Sequence, residues 1–455
     1  MAITIVEKCQ VQPSPGAVNE QLLPLVHFDI PWLPFHLVQN LFFYSFQCSE
    51  SHFLDTIVPN LKNSLSLTLK HFPPLSGNIV FPLDSGNLPV SHYVAGDSAS
   101  LTITVSSADF DNLTGNHSRD SDEFYDFVPH LPPPIYSPDS IKFSVAAVQV
   151  TLFPNLGISI GFTSHHAIGD GVTLLGFIQS WASISKFNGD THLLALGEKC
   201  LPFYDRGIIK DANRLATECW DLMKTFRPTL SSTVSWPTYK VRATFVLSDV
   251  EIQTLKNLVL NNKPTMVHVS SFMVACAYVW TCLAKSATAS GEEVMDDEPE
   301  YLSCTVDCRA RLNPPLPETY FGNCLILMLA ESAHERLKGN EGFLSAAQAI
   351  GETIQRTINN ERGIMDGSKK RLLEGTKLIG KRVVGIAGSP RFDLYGADFG
   401  WGRPKKFEAL HIDCNESISL CKPREFQGGA EIGLSMSKAK MDAFAAMFNQ
   451  GLTQN

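Results

Sequence analysis

The sequence predicts an α/β protein of two domains, and three observations support that prediction. The chain has 455 residues, which is more than a single hydrophobic core usually organises. Hydrophobic residues make up 44% and charged residues 18% of the chain, a composition typical of well-packed globular proteins. Strand-like and helix-like segments alternate through the first half, and this pattern weakens between roughly 197 and 239. We therefore expect one domain at 1–205 and a second at 206–455.

The elements of the first half follow from the spacing of its apolar residues. Helical spacing over 53–72 predicts a helix that Pro73 ends, because proline lacks the backbone N–H that a helix needs. Apolar runs at 145–153 and 158–164, separated by turn residues, predict two neighbouring strands. Apolar residues at helical spacing after Asp170 predict an amphipathic helix. A strand pair that leads into a helix is thus expected at the centre of this half.

The second half is predicted to repeat this mixture of strands and helices. Apolar patterning predicts a strand at 241–247 and helices at 214–226, 249–260 and 270–284. The acidic stretch 291–300 is expected to be an exposed loop, because charged runs are usually solvated.

Charge and targeting signals exclude several classes of function. The net charge is −9, which disfavours nucleic acids and anionic membranes as partners except at a local basic patch. The N-terminus has no signal-peptide pattern, and no apolar run approaches the ~20 residues of a membrane span. The 11 cysteines have no repeating spacing, which indicates reduced thiols. We therefore expect a cytoplasmic protein with no nucleic-acid and no membrane partner.

The strongest chemical signal is a histidine four residues before an aspartate, at the junction between a predicted strand and a predicted helix. His166 can act as a general base because an imidazole titrates near neutral pH, while Asp170 would orient the junction. The alternative is a core histidine followed by a helix N-cap aspartate. Gly169 and Gly171 would permit close approach of backbone or ligand. His165 should face the opposite side, and two adjacent histidines without a third ligand fit zinc poorly, so no metal site is predicted.

Three other patterns are interpreted as structural. Ser159 lies in a G-x-S-x-G match, but that motif needs a strand-to-helix elbow, and the sequence here continues as a strand. The triplet 398–400 matches the kinase magnesium motif, yet the other kinase motifs are missing. Cys304 and Cys308 are expected to be buried thiols rather than nucleophiles.

The combination of His166-Ala167-Ile168-Gly169-Asp170 with Asp398-Phe399-Gly400-Trp401-Gly402 resembles the plant BAHD acyl-CoA-dependent acyltransferases. Length, motif order and spacing agree over nearly the whole chain. Tyr320-Phe321-Gly322-Asn323-Cys324 and the segment 420–429 resemble the branch that acylates anthocyanins and other phenolic glucosides. The chain is therefore identified as a member of this family by resemblance.

The resemblance implies a chloramphenicol-acetyltransferase-like fold, with two similar-sized mixed-sheet domains and a solvent channel between them. A segment after Asp398 would return to the sheet of the first domain. His166 would take the proton of an acceptor hydroxyl, whose oxygen then attacks the thioester of an acyl-CoA co-substrate without a covalent enzyme intermediate. Asp170 and Gly171 would shape the histidine loop, and the motif 398–402 would be structural. No tightly bound cofactor is expected, and the protein should be a monomer.

Coenzyme A carries several phosphate charges, which an acidic chain must offset locally. We considered basic residues of the second half and a helix start whose free backbone amides would favour anions. The candidates are Lys256, Lys263, Ser270, Ser271, Arg309, Arg403, Lys405 and Lys406.

The acyl group is predicted to be hydroxycinnamoyl, with malonyl as the alternative. A malonyl carboxylate needs a cation once it is desolvated. The helix after His166 has no lysine or arginine up to residue 181, and the run 37–44 has none either, whereas similar malonyl-transferring relatives tend to place basic residues there. Phe42, Phe43 and Tyr44 could instead favour a flat ring. The competing hypotheses are a catalytically inactive ligand-binding relative and a hydrolase built on Ser159.

Overall fold

The computed structural model describes residues 3–83, 86–189, 201–231, 238–264, 266, 269–358, 365, 367–378, 380–414 and 417–453. The strands are β1 Ile3–Val11, β2 Glu20–Pro24, β3 Val38–Ser45, β4 Asn78–Pro82, β5 Val90–Val94, β6 Ala99–Ser106, β7 Arg119–Asp120, β8 Ile135–Tyr136, β9 Ser140–Ser144, β10 Ala146–Phe153, β11 Gly157–Ser164, β12 Val241–Leu247, β13 Pro299–Asp307, β14 Leu325–Ala333, β15 Arg382–Gly388, β16 Lys406–Ala409, β17 Ile418–Cys421 and β18 Ala430–Met436.

The α-helices of five or more residues are α1 Val58–His71, α2 Phe110–Thr114, α3 Gly171–Phe187, α4 Ala212–Met223, α5 Asp249–Asn262, α6 Ser271–Ala289, α7 His334–Lys338, α8 Gly342–Ile358, α9 Ser368–Thr376 and α10 Lys438–Thr453. Short 3₁₀ turns at Ile30–Trp32 and His166–Ile168 matter for the site described below.

Two large mixed sheets form the framework, and each takes an edge strand from the other half of the chain. The six-stranded sheet has the order β1-β6-β10-β11-β3-β16, and the seven-stranded sheet has the order β14-β13-β15-β17-β18-β12-β7. β16 pairs antiparallel with β3, so a late segment completes the N-terminal sheet. β7 pairs antiparallel with β12, so an early segment completes the C-terminal sheet. A third, five-stranded sheet has the order β2-β5-β4-β9-β8.

The predicted elements are found with shifted ends. The strand pair occurs as β10 and β11, whose residues are all buried, because both faces of this sheet are covered. The helix expected over 53–72 begins with a π-helical turn at Phe53–Ile57 and continues as α1. The predicted strand at 241–247 matches β12. Periodicity therefore located these elements well, and tertiary packing set where each one ends.

The hydrophobic cores do not divide at the predicted boundary between residues 205 and 206. Ala216, Cys219, Trp220 and Met223 of α4 pack into the core of the N-terminal half. Residues of the 395–421 region also belong to that core, because β16 brings them there. The N-terminal unit is thus built from at least two chain segments. The weak-pattern region 197–239 lies partly outside the described residues.

Two local expectations are met with a change at one end. The acidic stretch 291–300 is not wholly exposed, because Glu300 begins the buried part of β13 and is 3% exposed. Its carboxylate contacts His334 and Arg382, which is why a charge is tolerated there. The predicted helix 270–284 extends to Ala289, which makes α6 long and apolar enough for a membrane span by length and composition. Most of α6 is buried in the C-terminal core, as expected for a core helix.

A buried charge network joins the exchanged strands. Arg119 on β7 contacts Glu408 on β16 at 2.8 Å, and Arg242 on β12 contacts Glu408 at 3.3 Å and Asp413 at 2.8 Å. Burial by itself would raise the pKa of Glu408, but the cations Arg119, Lys406 and Arg242 hold it at about 2. These charges are compensated only while the two sheets stay together, so the network couples the halves.

We predict that Arg242→Leu lowers the free energy of unfolding by about 3–5 kcal/mol, because it leaves Glu408 and Asp413 buried with fewer cations. Urea denaturation followed by circular dichroism measures this change. Arg214→Leu is the matched control, since that side chain makes exposed helix pairs and should leave the midpoint close to wild type. Equal midpoints for both variants would contradict the role given to the network.

Candidate active site

A large cavity lies between the two halves and opens to solvent. Its volume is about 1710 Å³, enough for more than one ligand of ordinary size. Its lining includes His166 and the start of α3 from the N-terminal half, and β13, β14 and β15 from the C-terminal half. The predicted histidine therefore faces a channel that neither half forms by itself.

His166 lies in the 3₁₀ turn that follows β11, at the end of the buried strand pair. Burial lowers its pKa to about 4, although Asp170 and Asn323 act in the opposite direction. Its Nδ1 atom is enclosed without a hydrogen-bond partner, so Nε2 is the nitrogen that can meet a substrate. A neutral imidazole at pH 7 with one accessible nitrogen is suited to accept a proton.

His165 lies away from His166. Its side chain is fully buried, and its Nδ1 atom accepts a hydrogen bond from the Ala167 amide at 3.2 Å. Its ring packs near Phe143, with centroids 5.0 Å apart. The two adjacent histidines therefore do not form one site.

Asp170 holds the histidine turn against the C-terminal half. Its carboxylate receives two hydrogen bonds from the Arg309 guanidinium, at 2.8 and 3.0 Å, and both side chains are nearly inaccessible. The same carboxylate accepts from the Thr173 amide at 3.1 Å and thus caps α3. Asp170 therefore both starts α3 and fixes the His166 turn to the C-terminal half.

The segment 320–324, which the sequence analysis used only as a branch signature, forms the cradle of this loop. The carbonyls of Tyr320 and Gly322 accept from Arg309 at 3.1 Å each. The Cys324 amide donates to Asp170 at 3.1 Å, and the Asn323 amide group donates to the His166 carbonyl at 3.0 Å. The C-terminal half thus fixes the backbone on which His166 stands.

Sequence reasoning missed two residues that complete this arrangement. Asp29 is fully buried and accepts from the Asn323 backbone at 2.8 Å and from its side chain at 3.1 Å. Trp32, three residues on, stacks on the His166 ring. A lone charge in the otherwise uncharged run 28–35 was the available signal, because a carboxylate among apolar residues needs a specific partner.

The motif 398–402 lies outside the cavity lining. Asp398 binds Lys186 on α3 at 2.7 Å and accepts from the amides of Gly400 and Gly402. Burial raises its pKa, but these donors outweigh that effect and lower it overall. Both glycines have positive φ, 98° and 86°, which side chains disfavour. The geometry is that of a structural turn on the N-terminal sheet.

Aromatic rings of the same motif pack on the strand that carries the proposed acyl-pocket residues. Phe399 and Trp401 make edge contacts with Tyr44 at 5.8 and 5.4 Å, and the Tyr44 hydroxyl donates to the Ala397 carbonyl. Phe43 packs in a separate buried cluster. The assignment of Phe43 and Tyr44 to an acyl pocket is therefore wrong, since both face the interior. Phe42 does line the cavity.

The coenzyme candidates separate into two groups. Lys256, Ser270 and Ser271 line the cavity, and Ser270 caps the start of α6 by accepting from the Met273 amide at 3.2 Å. A cation beside free helix amides is suited to a phosphate. Lys263 follows α5 and does not line the cavity.

Four basic candidates are placed elsewhere by the structure. Arg309 is 2% exposed and already binds Asp170, so it cannot offer its charge to a coenzyme. Arg403 binds Asp393, Lys405 binds Asp111, and Lys406 is buried against Thr244 and Glu408. None of these residues lines the cavity. They were chosen because sequence spacing does not show which charges are already paired.

The alternative nucleophiles are either buried or held as neutral thiols. Ser159 is fully buried inside β11, and burial raises the pKa of Cys304 and Cys308 to about 12. Within the described part of the chain, no group of three or more histidine, cysteine, aspartate or glutamate side chains is placed to hold a metal ion.

The two mixed-sheet halves and the channel between them define a class of protein by fold, the chloramphenicol-acetyltransferase-like proteins. Vinorine synthase superposes with a TM-score of 0.69 at 20% identity, covering 97% of this chain and 96% of its own. F. sporotrichioides TRI101, solved with coenzyme A and T-2, superposes with a TM-score of 0.65 at 15% identity, covering 92% and 96%. At these identities the likeness establishes the fold.

Sequence comparison places the chain within this class. Residues 1–450 match the Transferase family. Phenolic glucoside malonyltransferase 1 of Nicotiana tabacum is 47% identical over 99% of each chain. An anthocyanin 5-O-glucoside-6'''-O-malonyltransferase of Salvia splendens is 41% identical over 99% of this chain and 95% of its own. Coumaroyl-CoA:anthocyanidin 3-O-glucoside-6''-O-coumaroyltransferase 2 of Arabidopsis thaliana is 36% identical, covering 98% and 97%. The chain belongs to the Transferase family, the BAHD acyltransferases, and is an acyl-CoA-dependent acyltransferase.

We predict that Asp170→Asn lowers both stability and activity. The substitution keeps the shape of the side chain but removes its charge, so the buried Arg309 retains only the half-exposed Asp307 as a counterion, which should cost about 3–5 kcal/mol of unfolding free energy. Thermal melting and initial rates measure the two effects. Asp442→Asn is the control, since its pair with Lys438 is exposed and should contribute little. A stable, fully active Asp170→Asn protein would exclude the anchoring role.

Proposed function

We propose that the protein transfers a malonyl group from malonyl-CoA to a sugar hydroxyl of a phenolic glucoside, such as an anthocyanin, with His166 as general base. The carrying observation is the 47% identity to a phenolic glucoside malonyltransferase over 99% of both chains. The coumaroyl-transferring relative is 36% identical. The sequence patterns predicted a hydroxycinnamoyl donor with malonyl as the alternative, and the similarity to malonyltransferases favours that alternative.

The structure removes the main argument for an aromatic donor. Of the three aromatic residues assigned to the acyl pocket, only Phe42 lines the cavity. The absence of cations from the start of α3 is also less decisive, because the C-terminal half supplies half of the channel wall. Lys256, Lys381 and Arg391 line the cavity and have no ion pair among the described residues. A malonyl carboxylate can therefore find a positive charge from the opposite side.

Arg391 lines the cavity and directly precedes a residue that packs on the start of α3. It follows β15, and the ring of the next residue, Phe392, packs so closely on Gly171 that a Cβ atom there would lie 2.9 Å from it. Gly171 directly follows Asp170 at the start of α3. A guanidinium binds a carboxylate through two parallel hydrogen bonds, so Arg391 is the proposed partner of the malonyl carboxylate.

In the proposed mechanism His166 accepts the proton of the acceptor hydroxyl at Nε2. The acceptor oxygen attacks the thioester carbonyl, a carbon–oxygen bond forms, and collapse of the tetrahedral intermediate breaks the carbon–sulfur bond. The proton on His166 is then delivered to the CoA sulfur. Malonyl-CoA is consumed as a co-substrate.

Both walls of the channel come from one chain, so we propose a monomer as the active form. We also propose a cytoplasmic location, because the ten described cysteines are free.

We predict that the protein malonylates an anthocyanidin 3-O-glucoside and uses p-coumaroyl-CoA much less well. Parallel reactions with malonyl-CoA and p-coumaroyl-CoA, read by mass spectrometry, measure this directly. His166→Ala is the matched variant, and it should lose about 10²–10⁴-fold in turnover, the usual contribution of a general base, while calorimetry still detects CoA binding. A coumaroyl product alone would restore the hydroxycinnamoyl assignment. Normal turnover by His166→Ala would exclude the mechanism.

We also predict that Arg391→Gln raises the KM for malonyl-CoA by about 10-fold or more, because a charge-assisted pair with the carboxylate is lost. The KM for acetyl-CoA, which has no carboxylate, should change little. Steady-state kinetics with both donors gives the comparison. Lys405→Gln is the control, since Lys405 is outside the cavity and binds Asp111. Equal effects on both donors would assign the malonyl carboxylate to another cation.

A further inference from the structure

The ring of His166 is covered by an indole. The centroids of Trp32 and His166 are 3.8 Å apart and their planes differ by 10°, a face-to-face stack. Phe35 meets the same imidazole with its edge, at 5.4 Å and 84°, and meets Trp32 at 5.0 Å and 86°. All three side chains line the cavity. The indole thus covers one face of the imidazole and leaves its Nε2 edge open.

The backbone segments that carry Trp32 and His166 are both anchored by hydrogen bonds to Asn323. Trp32 ends the 3₁₀ turn Ile30–Trp32, whose first turn is fixed by Asp29 through hydrogen bonds to Asn323. Asn323 also donates to the His166 carbonyl. The buried Asn323 amide therefore links the Asp29 carboxylate to the backbone of His166, and the Asp29 carbonyl accepts from the Trp32 amide at 3.1 Å. Because Asn323 bonds both segments, the stacking of Trp32 on His166 is fixed by the surrounding structure.

Little else near His166 can compensate a positive charge on its ring. Burial lowers the pKa of His165 to about 3, of His36 to about 2 and of His411 to about 4, so these rings are neutral at working pH. The Asp170 carboxylate is already paired with Arg309. Among the described residues, the titratable groups that interact electrostatically with His166 are Asp170, His165, His36 and His411.

We propose that Trp32 is a positioning residue of the acyl transfer, which orients the His166 imidazole and stabilises the imidazolium that forms when the acceptor loses its proton. A neutral ring on an indole gains ordinary stacking energy, whereas a cation on the indole face gains a stronger electrostatic attraction, especially when water is excluded. The interaction therefore strengthens as the proton moves from the hydroxyl oxygen to Nε2, and weakens again when the proton passes to the CoA sulfur. An interaction that is strongest in the transition state raises kcat. This inference rests on the proposed role of His166 as base.

The test compares Trp32→Leu and Trp32→Phe with wild type over a range of pH. Trp32→Leu should lower kcat about 10-fold, equal to about 1.4 kcal/mol, with the KM for malonyl-CoA changed less than about 2-fold. Leucine keeps an apolar side chain over the ring, so burial of His166 changes little, whereas the attraction of the indole face for the imidazolium is lost. The pKa of His166 therefore falls, and the acid limb of the kcat profile moves to lower pH. Trp32→Phe keeps a ring face and should be intermediate on both readouts.

Phe187→Leu controls for loss of an aromatic side chain, because Phe187 is 55% exposed and outside the cavity lining; it should match wild type. A fall in kcat with an unmoved acid limb would overturn the proposal, and so would wild-type kcat in Trp32→Leu. If thermal melting shows that Trp32→Leu is unfolded, Trp32→Phe decides by the same criteria. Absence of any acyl transfer by wild type would refute the proposed function instead, which separates the two failures.

Discussion

The pair of hydrogen bonds between Asp170 and Arg309 is the interaction on which the site depends. His166 lies on a turn of the N-terminal half, close to Asp170, and the Arg309 that binds Asp170 comes from the C-terminal half. Both charges are buried, so separating the halves would leave each of them uncompensated, at a cost of several kcal/mol. The same contact caps α3 and fixes the 320–324 cradle. The contact that joins the two halves around the channel is therefore the same contact that positions the His166 turn.

The exchange of edge strands gives this contact its rigidity. β7 completes the C-terminal sheet and β16 completes the N-terminal sheet, so each half contains backbone hydrogen bonds made by the other. The network of Arg119, Arg242 and Glu408 lies where those strands approach. A channel between two loosely joined domains would change width with every domain motion. Here its width is set by sheet hydrogen bonds and buried ion pairs, which suits a reaction that needs two substrates placed on one histidine.

The acyl-donor question shows how a local pattern can mislead. Phe42, Phe43 and Tyr44 alternate on β3, so successive side chains point to opposite faces of the sheet, and a run of three aromatics cannot all face one pocket. The prediction that no cation is available to a malonyl carboxylate considered only α3 and β3, which form one wall of the channel. Arg391 reaches the channel from the other wall, after β15, at a distance along the chain that no local pattern connects to His166. Arg309 was likewise misassigned to coenzyme binding, because its charge is already paired with Asp170 inside the protein.

The sequence by itself determined the fold class, most of the elements, the family, and the histidine and aspartate that line the channel. These features follow from short-range information: apolar periodicity, glycine placement and two motifs of fixed spacing. Only the tertiary structure decided which charges are free, which aromatic residues face the channel, and that Trp32 covers His166. Such facts depend on contacts between residues more than a hundred positions apart, as in the pairs Trp32 with His166 and Asp170 with Arg309. The spacing of residues along the chain does not predict these contacts, because packing and charge pairing form only when the two halves come together.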